Sequence, residues 1–381
     1  MYARLLTIGA LLVACIGFFL STRPSETSTH VLGQYIQGRN KTVLFLANRE
    51  HGLSNVHIAT ASAILENYPD IELHYASFSS VRSKLDRISH FARARQPSTG
   101  DIIFHELKGL SFEDAFFQNG GDINDMIHPP GSKGLGGFLK NLPRWMEPWT
   151  VEQHLDLYHQ ISTIIDEVDP AVIVLDTFLP PGIDITRDRD RQHVMITPNP
   201  LAHTFAAKQP YGASFWKYPV LVYTLLLVAA WPATYRYTSI PSGLKFPLAL
   251  RDIPENVAMT FRTIGSLLSG SDLANKRAAL RRAGLKKPID YSGRHRDDVP
   301  WISSSTEGAT IPVDFVPLNV TSAGPIVLDS APAEEQDAEM AAWLKRAPTV
   351  LVNLGSLLQV RSLHIFIPDA PITPSNIGIL V

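Results

Sequence analysis

Two side chains of acid–base character stand at or just past the ends of apolar runs. His51 follows Thr42-Val43-Leu44-Phe45-Leu46-Ala47 and a short polar stretch, and Asp176 directly ends Ala171-Val172-Ile173-Val174-Leu175. Histidine exchanges a proton near neutral pH, and a carboxylate beside an imidazole fixes its tautomer and stabilises the imidazolium. At the carboxyl ends of parallel strands both residues face one crevice, the place where α/β sheets bind ligands. Each has a rival. His57 falls in the first turns of the next helix, where a partly exposed structural role also fits, and Asp184 is the alternative carboxylate. A strand-end aspartate can also do no more than cap the following turn. His203, in Pro198-Asn199-Pro200-Leu201-Ala202-His203, follows a further strand and reads either as a loop histidine or as the wall of a pocket. Near the C-terminus Gly355-Ser356 closes the run Thr349-Val350-Leu351-Val352-Asn353-Leu354. There a glycine permits close backbone approach, and a serine hydroxyl with backbone N–H groups can hold a phosphate oxygen.

The elements that must position these groups alternate. The apolar run 42–47, a polar turn 48–55, a helical stretch from Val56 to Glu66 and the alternating run Ile71-Glu72-Leu73-His74-Tyr75-Ala76 make a βαβ unit. That spacing predicts a parallel sheet. Val151 to Val168 reads as a helix, Ala171 to Leu175 as a buried parallel strand, and His193-Val194-Met195-Ile196-Thr197 as another. Gly100 to Trp149, rich in Gly, Pro, Asn and aromatics, reads as irregular loop with short helices. Tyr218 to Tyr235 is apolar but bounded by Pro219 and Pro232, too short for a bilayer span, so it is a buried helix or a membrane-dipping segment. Ala274 to Lys287, with its Lys-Arg and Arg-Arg pairs, reads as a solvated helical face, as does the alternating charge of Arg187 to Arg191 as solvated loop.

Composition narrows the classes. The 381 residues are 45% hydrophobic and 18% charged, with a formal net charge of -2, which gives no electrostatic footprint for nucleic acid. The single cysteine, Cys15, excludes an intrachain disulfide framework and a cysteine-based zinc site, and no HExxH, EF-hand or Walker pattern occurs. Leu5 to Leu20 is an apolar stretch after Arg4, closed by Ser21-Thr22-Arg23-Pro24. It fits a cleaved signal peptide or an uncleaved signal anchor, with a buried helix as the alternative. The sequons at Asn40 and Asn319 are compatible with a secretory route.

Three segments, in this order, resemble the UDP-dependent glycosyltransferases, and more closely their fungal-type members. Val43 through Gly52 with Asn55 is similar to the family's opening strand and its His-bearing loop. Asp169 through Phe178 is similar to the strand that presents the family's Asp. Asp314-Phe315-Val316-Pro317 through Gly324-Pro325, then Trp343-Leu344 and Val350 through Ser356, resembles the interdomain linker and the first strand-turn of the nucleotide domain. The resemblance covers roughly residues 40 to 358. Two departures stand beside His51. The family has Gly before the His and Pro three residues after it, whereas here Gly52 follows His51 and Ser54 occupies the position of that Pro.

The resemblance implies an α/β fold of the glycosyltransferase B type, with the N-terminal Rossmann-like domain nearly complete and the C-terminal one only begun. Residues 1–24 are then a signal peptide or anchor and 40–310 the acceptor-binding domain. Residues 311–347 are a linker and helix, 348–358 the first strand-turn of the nucleotide-sugar domain, and 359–381 an atypical proline-rich tail. It also implies an inverting transfer of a hexose from a UDP-sugar to a hydroxyl of a small lipophilic acceptor, with His51 as general base and Asp176 as its partner. Gly355 and Ser356 would approach the donor diphosphate. No metal and no cofactor beyond the UDP-sugar co-substrate is expected. The expected location is the secretory pathway or endoplasmic reticulum membrane, with membrane association through the N-terminal segment. The family's donor signature beyond residue 356 does not occur, so the expectation is a C-terminally truncated member. The alternative is a non-catalytic acceptor-binding or regulatory fragment.

Overall fold

A computed structural model describes residues 34–122, 131–205, 208–210, 213–218, 242, 244–289, 296–308, 310–329 and 333–346. The apolar segment 5–20 with Cys15, the stretch 219–235 and the pair Gly355-Ser356 lie outside these residues, as do the expected nucleotide-domain strand-turn and the tail.

Within them the chain builds one seven-stranded sheet. Its strands are β1 (Arg39–Leu46), β2 (Glu72–Ser77), β3 (Ile103–Glu106), β4 (Pro170–Asp176), β5 (His193–Thr197), β6 (Trp301–Ser303) and β7 (Val320–Ser322). They lie in the order β3-β2-β1-β4-β5-β6-β7, and all six pairings are parallel. This is the doubly wound arrangement, and its direction reverses between β1 and β4. The expected α/β, Rossmann-like architecture is present.

Parallel strands need a helix on each face, and β1 shows how the sequence supplies both. Val43 and Phe45 pack on one face with Val56, Ile58, Ala61 and Leu65 of α1 (His51–Asn67) and with Leu85 and Ile88 of α2 (Arg82–Arg95). Leu44 and Leu46 point to the other face. There they meet α3 (Phe112–Gln118) through Phe112 and Ala115, and a later helix pair, numbered after α4 (Leu135–Met146). That pair is α5 (Val151–Val168), through Leu157, Ile161 and Ile165, and α6 (Pro180–Asp188), through Ile183 and Ile185. Every residue of β1 from Thr42 to Leu46 is buried. At about 1.5–3 kcal/mol for each large apolar side chain buried, this two-faced strand anchors the fold.

Several boundaries differ from the sequence expectation. Helix α1 begins at His51, inside the stretch expected as a polar turn, because the Glu50 carbonyl accepts the N–H groups of Leu53 and Ser54 and so opens the helix early. Residues 100–149 contain a sheet strand and two helices in addition to loop. The basic segment is helix α8 (Ser271–Arg282), which follows α7 (Ile253–Ser269). It is not only a solvated face: Leu280 and Leu285 are buried against Phe138 and Leu142 of α4. The stretch expected as a linker carries β7, paired to β6, and ends in α9 (Ala338–Leu344). No helix among the described residues is long and apolar enough to cross a membrane.

Candidate active site

The carboxyl ends of β1 and β4 meet where the sheet order reverses, and the residues singled out from sequence gather there. Asp176, the last residue of β4, is fully buried. One of its carboxylate oxygens accepts the backbone N–H of Asn48 at 3.0 Å, and the other accepts the N–H of Phe178 at 2.9 Å. Asn48 returns the contact by donating its side-chain amide to the Phe178 carbonyl at 2.6 Å. The two strand ends are thus stitched by a reciprocal pair of bonds around one carboxylate.

His51 stands one turn beyond, as the first residue of α1, and is exposed. No hydrogen bond or ion pair among the described residues joins it to Asp176. Its Nδ1 instead lies 2.9 Å from the Lys84 amine on α2. Burial, and after it the neighbouring Arg87 cation, push the Lys84 amine below the usual lysine range. Asp176 therefore holds the loop that carries His51, while Lys84 holds the ring.

Glu50, immediately before His51, is 7% exposed and unexpected from sequence as part of the site. One oxygen accepts the N–H of Glu113 at 2.9 Å, in the first turn of α3, and the other has no partner among the described residues. Burial raises its pKa, and the Asp176 charge adds to the rise. Arg49 turns outward to bond Asp114 at 2.8 Å. Beyond Asp176 the wall is aromatic: Phe112 lies edge-on to Phe178, Trp145 and Trp149, with centroids 5.7, 5.3 and 6.0 Å away. Phe178 and Trp145 in this group are only partly buried. Such rings offer a broad apolar surface for a ligand.

The rivals lie elsewhere. His57, expected as partly exposed, is fully buried in α1, with Nδ1 3.0 Å from the Leu53 carbonyl. Asp184 is buried in a separate network: one of its oxygens lies 3.1 Å from His154 Nε2, and the carboxylate accepts the N–H of Ile289. His154 is itself fully buried, with Nδ1 2.9 Å from Glu147, whose carboxylate also meets the Lys276 amine at 3.2 Å. Burial alone would push the His154 pKa down. The Glu147 charge, the Asp184 bond and the remaining carboxylate contacts outweigh it and raise the value to about 9. His203 is partly buried, and burial lowers its pKa. Among the described residues no cluster of His, Cys, Asp and Glu fits a metal ion.

Sequence alone had a signal for Glu50, a charged residue at the position where the resembling family carries glycine. It had none for Lys84, one basic residue among many on a polar helix.

No family model matches the chain. It is 27% identical over 332 residues to glycosyltransferase sdnJ of Sordaria araneosa, covering 84% of this chain and 60% of that protein. Solved structures with partial similarity include a UGT transferase from Siraitia grosvenorii in complex with UDP, at 12% identity over 81% of this chain and 56% of that one, with a TM-score of 0.37. Another is a UDP-glucosyltransferase from Polygonum tinctorium capable of glucosylating indoxyl, at 14% identity, 81% and 57% coverage and a TM-score of 0.36. The chain thus spans less than two thirds of the length of these proteins. The chain is thus related in sequence to a glycosyltransferase over most of its length, and its doubly wound sheet brings the residues singled out from sequence to the switch point.

Proposed function

We propose that this chain is the acceptor-binding part of an inverting glycosyltransferase that moves a hexose from a UDP-sugar to a hydroxyl of a small lipophilic molecule. The observation that carries the reading is the exposed imidazole of His51 at the carboxyl ends of β1 and β4, beside a partly open aromatic wall. The acceptor packs against Phe178 and Trp145 and brings its hydroxyl to the ring. The acceptor oxygen forms a bond to the anomeric carbon as the bond to the UDP oxygen breaks from the opposite face. The hydroxyl proton passes to His51, and UDP leaves with the electron pair. Asp176 contributes by fixing the Asn48 backbone and, through it, the loop that aims His51.

In this reading the donor is held by a further domain that begins near residue 348, with Gly355 and Ser356 approaching the diphosphate. No cofactor beyond the UDP-sugar takes part. Entry into the secretory pathway through residues 1–24 belongs to the same proposal. Protease protection of tagged chain in microsomes tests it.

The test of function is UDP release on mixing the chain with UDP-sugars and hydrophobic alcohols, with binding of each followed by calorimetry. Loss of at least about a hundredfold in turnover is expected for His51→Ala, the scale of a general base. Full turnover in that variant overturns the base assignment. Acceptor binding without any UDP binding or release supports the second reading, a non-catalytic acceptor-binding fragment.

A further inference from the structure

The imidazole of His51 meets an amine rather than a carboxylate, and this changes the proton bookkeeping. Lys84 Nζ lies 2.9 Å from His51 Nδ1, while both oxygens of Asp176 are engaged by backbone N–H groups. An ammonium has no acceptor, and a neutral imidazole has one N–H and one lone pair. When Lys84 is charged it donates to Nδ1, which leaves the ring proton on Nε2. The outward-facing nitrogen is then a donor and cannot take a proton from anything. When the pair loses one proton the bond reverses. Nδ1–H donates to a neutral amine, and the Nε2 lone pair becomes free. One proton goes from Nε2 to solvent and one from Nζ to Nδ1, so the change is a single deprotonation with a tautomer switch.

We propose that Lys84 is a positioning residue that gates His51, holding it in a donor-only tautomer while the amine is charged and freeing Nε2 as a base when the amine is neutral. The gating of catalysis rests on the proposed role of His51; the tautomer coupling itself does not. Other charges face the pair: Arg87, on the same helix as Lys84, and Glu113 of α3, which lies near His51 with Arg49 and Asp114 beside it. Partial burial and the Arg87 charge both favour loss of the Lys84 proton. The gate therefore opens at a lower pH than an isolated lysine would permit.

The experiment is long-range proton–nitrogen NMR on the full chain with labelled histidine, the His51 signals being assigned by their loss in His51→Gln. Spectra are taken from about pH 7 to pH 10. In the wild type the His51 tautomer is expected to move from Nε2–H to Nδ1–H as pH rises. Lys84→Met should show a tautomer ratio that does not change with pH. Lys84→Arg, whose guanidinium stays charged throughout, should stay locked in the Nε2–H form. A wild-type ratio constant with pH, or one that changes equally in Lys84→Met, overturns the proposal whatever the activity. Where turnover is measurable, the acid limb of the kcat profile should shift to lower pH in Lys84→Met. In Lys84→Arg, kcat should fall by about a hundredfold or more with KM little changed. An active His51→Ala together with a moving tautomer would retire the base role and leave the coupling in place.

Discussion

The Asp176 carboxylate and the Asn48 backbone N–H are 3.0 Å apart across the join between β4 and β1, inside a region with no solvent contact at Asp176. The bond ties the end of one strand to the start of the loop that delivers His51. A carboxylate accepts at both oxygens, and here each takes a different backbone donor.

Asp176→Asn is therefore expected to leave one of the two N–H groups facing an amide NH2 instead of an acceptor. The cost of a buried unsatisfied donor is about 1–3 kcal/mol. Urea unfolding at neutral pH measures it. A variant as stable as the wild type would mean the clamp adds nothing to stability.

The His154 network predicts a stability that depends on alkaline pH. In the unfolded chain the imidazole has its ordinary value near 6.5, and in the fold it is raised to about 9. The stabilisation is fully present below the unfolded value and is lost as pH rises through about 9. Thermal melts between neutrality and that point should show a falling Tm. Replacement of His154 by glutamine should flatten the slope.

Removing the imidazole outright is a harsher change. His154→Ala leaves Glu147 and Asp184 buried without the cation between them, with Lys276 serving only the former. Breaking a buried ionic network in this way costs about 3–5 kcal/mol. The midpoint of denaturant unfolding reads the loss.

A steric prediction concerns the turn after α3. A Cβ on Gly121 would sit 2.6 Å from the Phe116 carbonyl oxygen and 2.7 Å from its ring. Gly121→Ala should destabilise by about 1–3 kcal/mol, the usual range for an overpacked site. An unchanged unfolding midpoint would show that the turn relaxes freely.

Much of the sheet was readable from residues because central parallel strands are buried on both faces. The runs at β1, β4 and β5 are continuous and apolar for that reason. Helix α5 was equally plain: Thr150 and Gln153 form a capping box at its start, and Asp169 in a left-handed conformation ends it. The strands that escaped notice are short or peripheral. Strand β3 is an edge strand with no buried residue, and β6 and β7 have three residues each. Their sheet membership comes from partners supplied far along the chain. His57 and Asp184 looked interchangeable with His51 and Asp176 by residue type. Burial separated them, and burial at a helix turn is decided by tertiary packing. Lys84 could not be paired with His51 because nothing in a sequence brings residue 84 to residue 51 except the packing of α1 on α2.

The central place of β1 also dictates an order of events. Its two neighbours are β2, which follows directly, and β4, whose Asp176 lies 128 residues beyond Asn48. On the ribosome, β1 and β2 emerge long before that second neighbour exists. One long hydrogen-bonding edge of a strand whose second half, Val43 to Leu46, is wholly apolar stays open through that interval, an invitation to pair with another chain. The non-local closure makes the domain a slow folder. Anything that covers the β1 edge early, a chaperone above all, should raise the yield of native protein more than any single stabilising substitution.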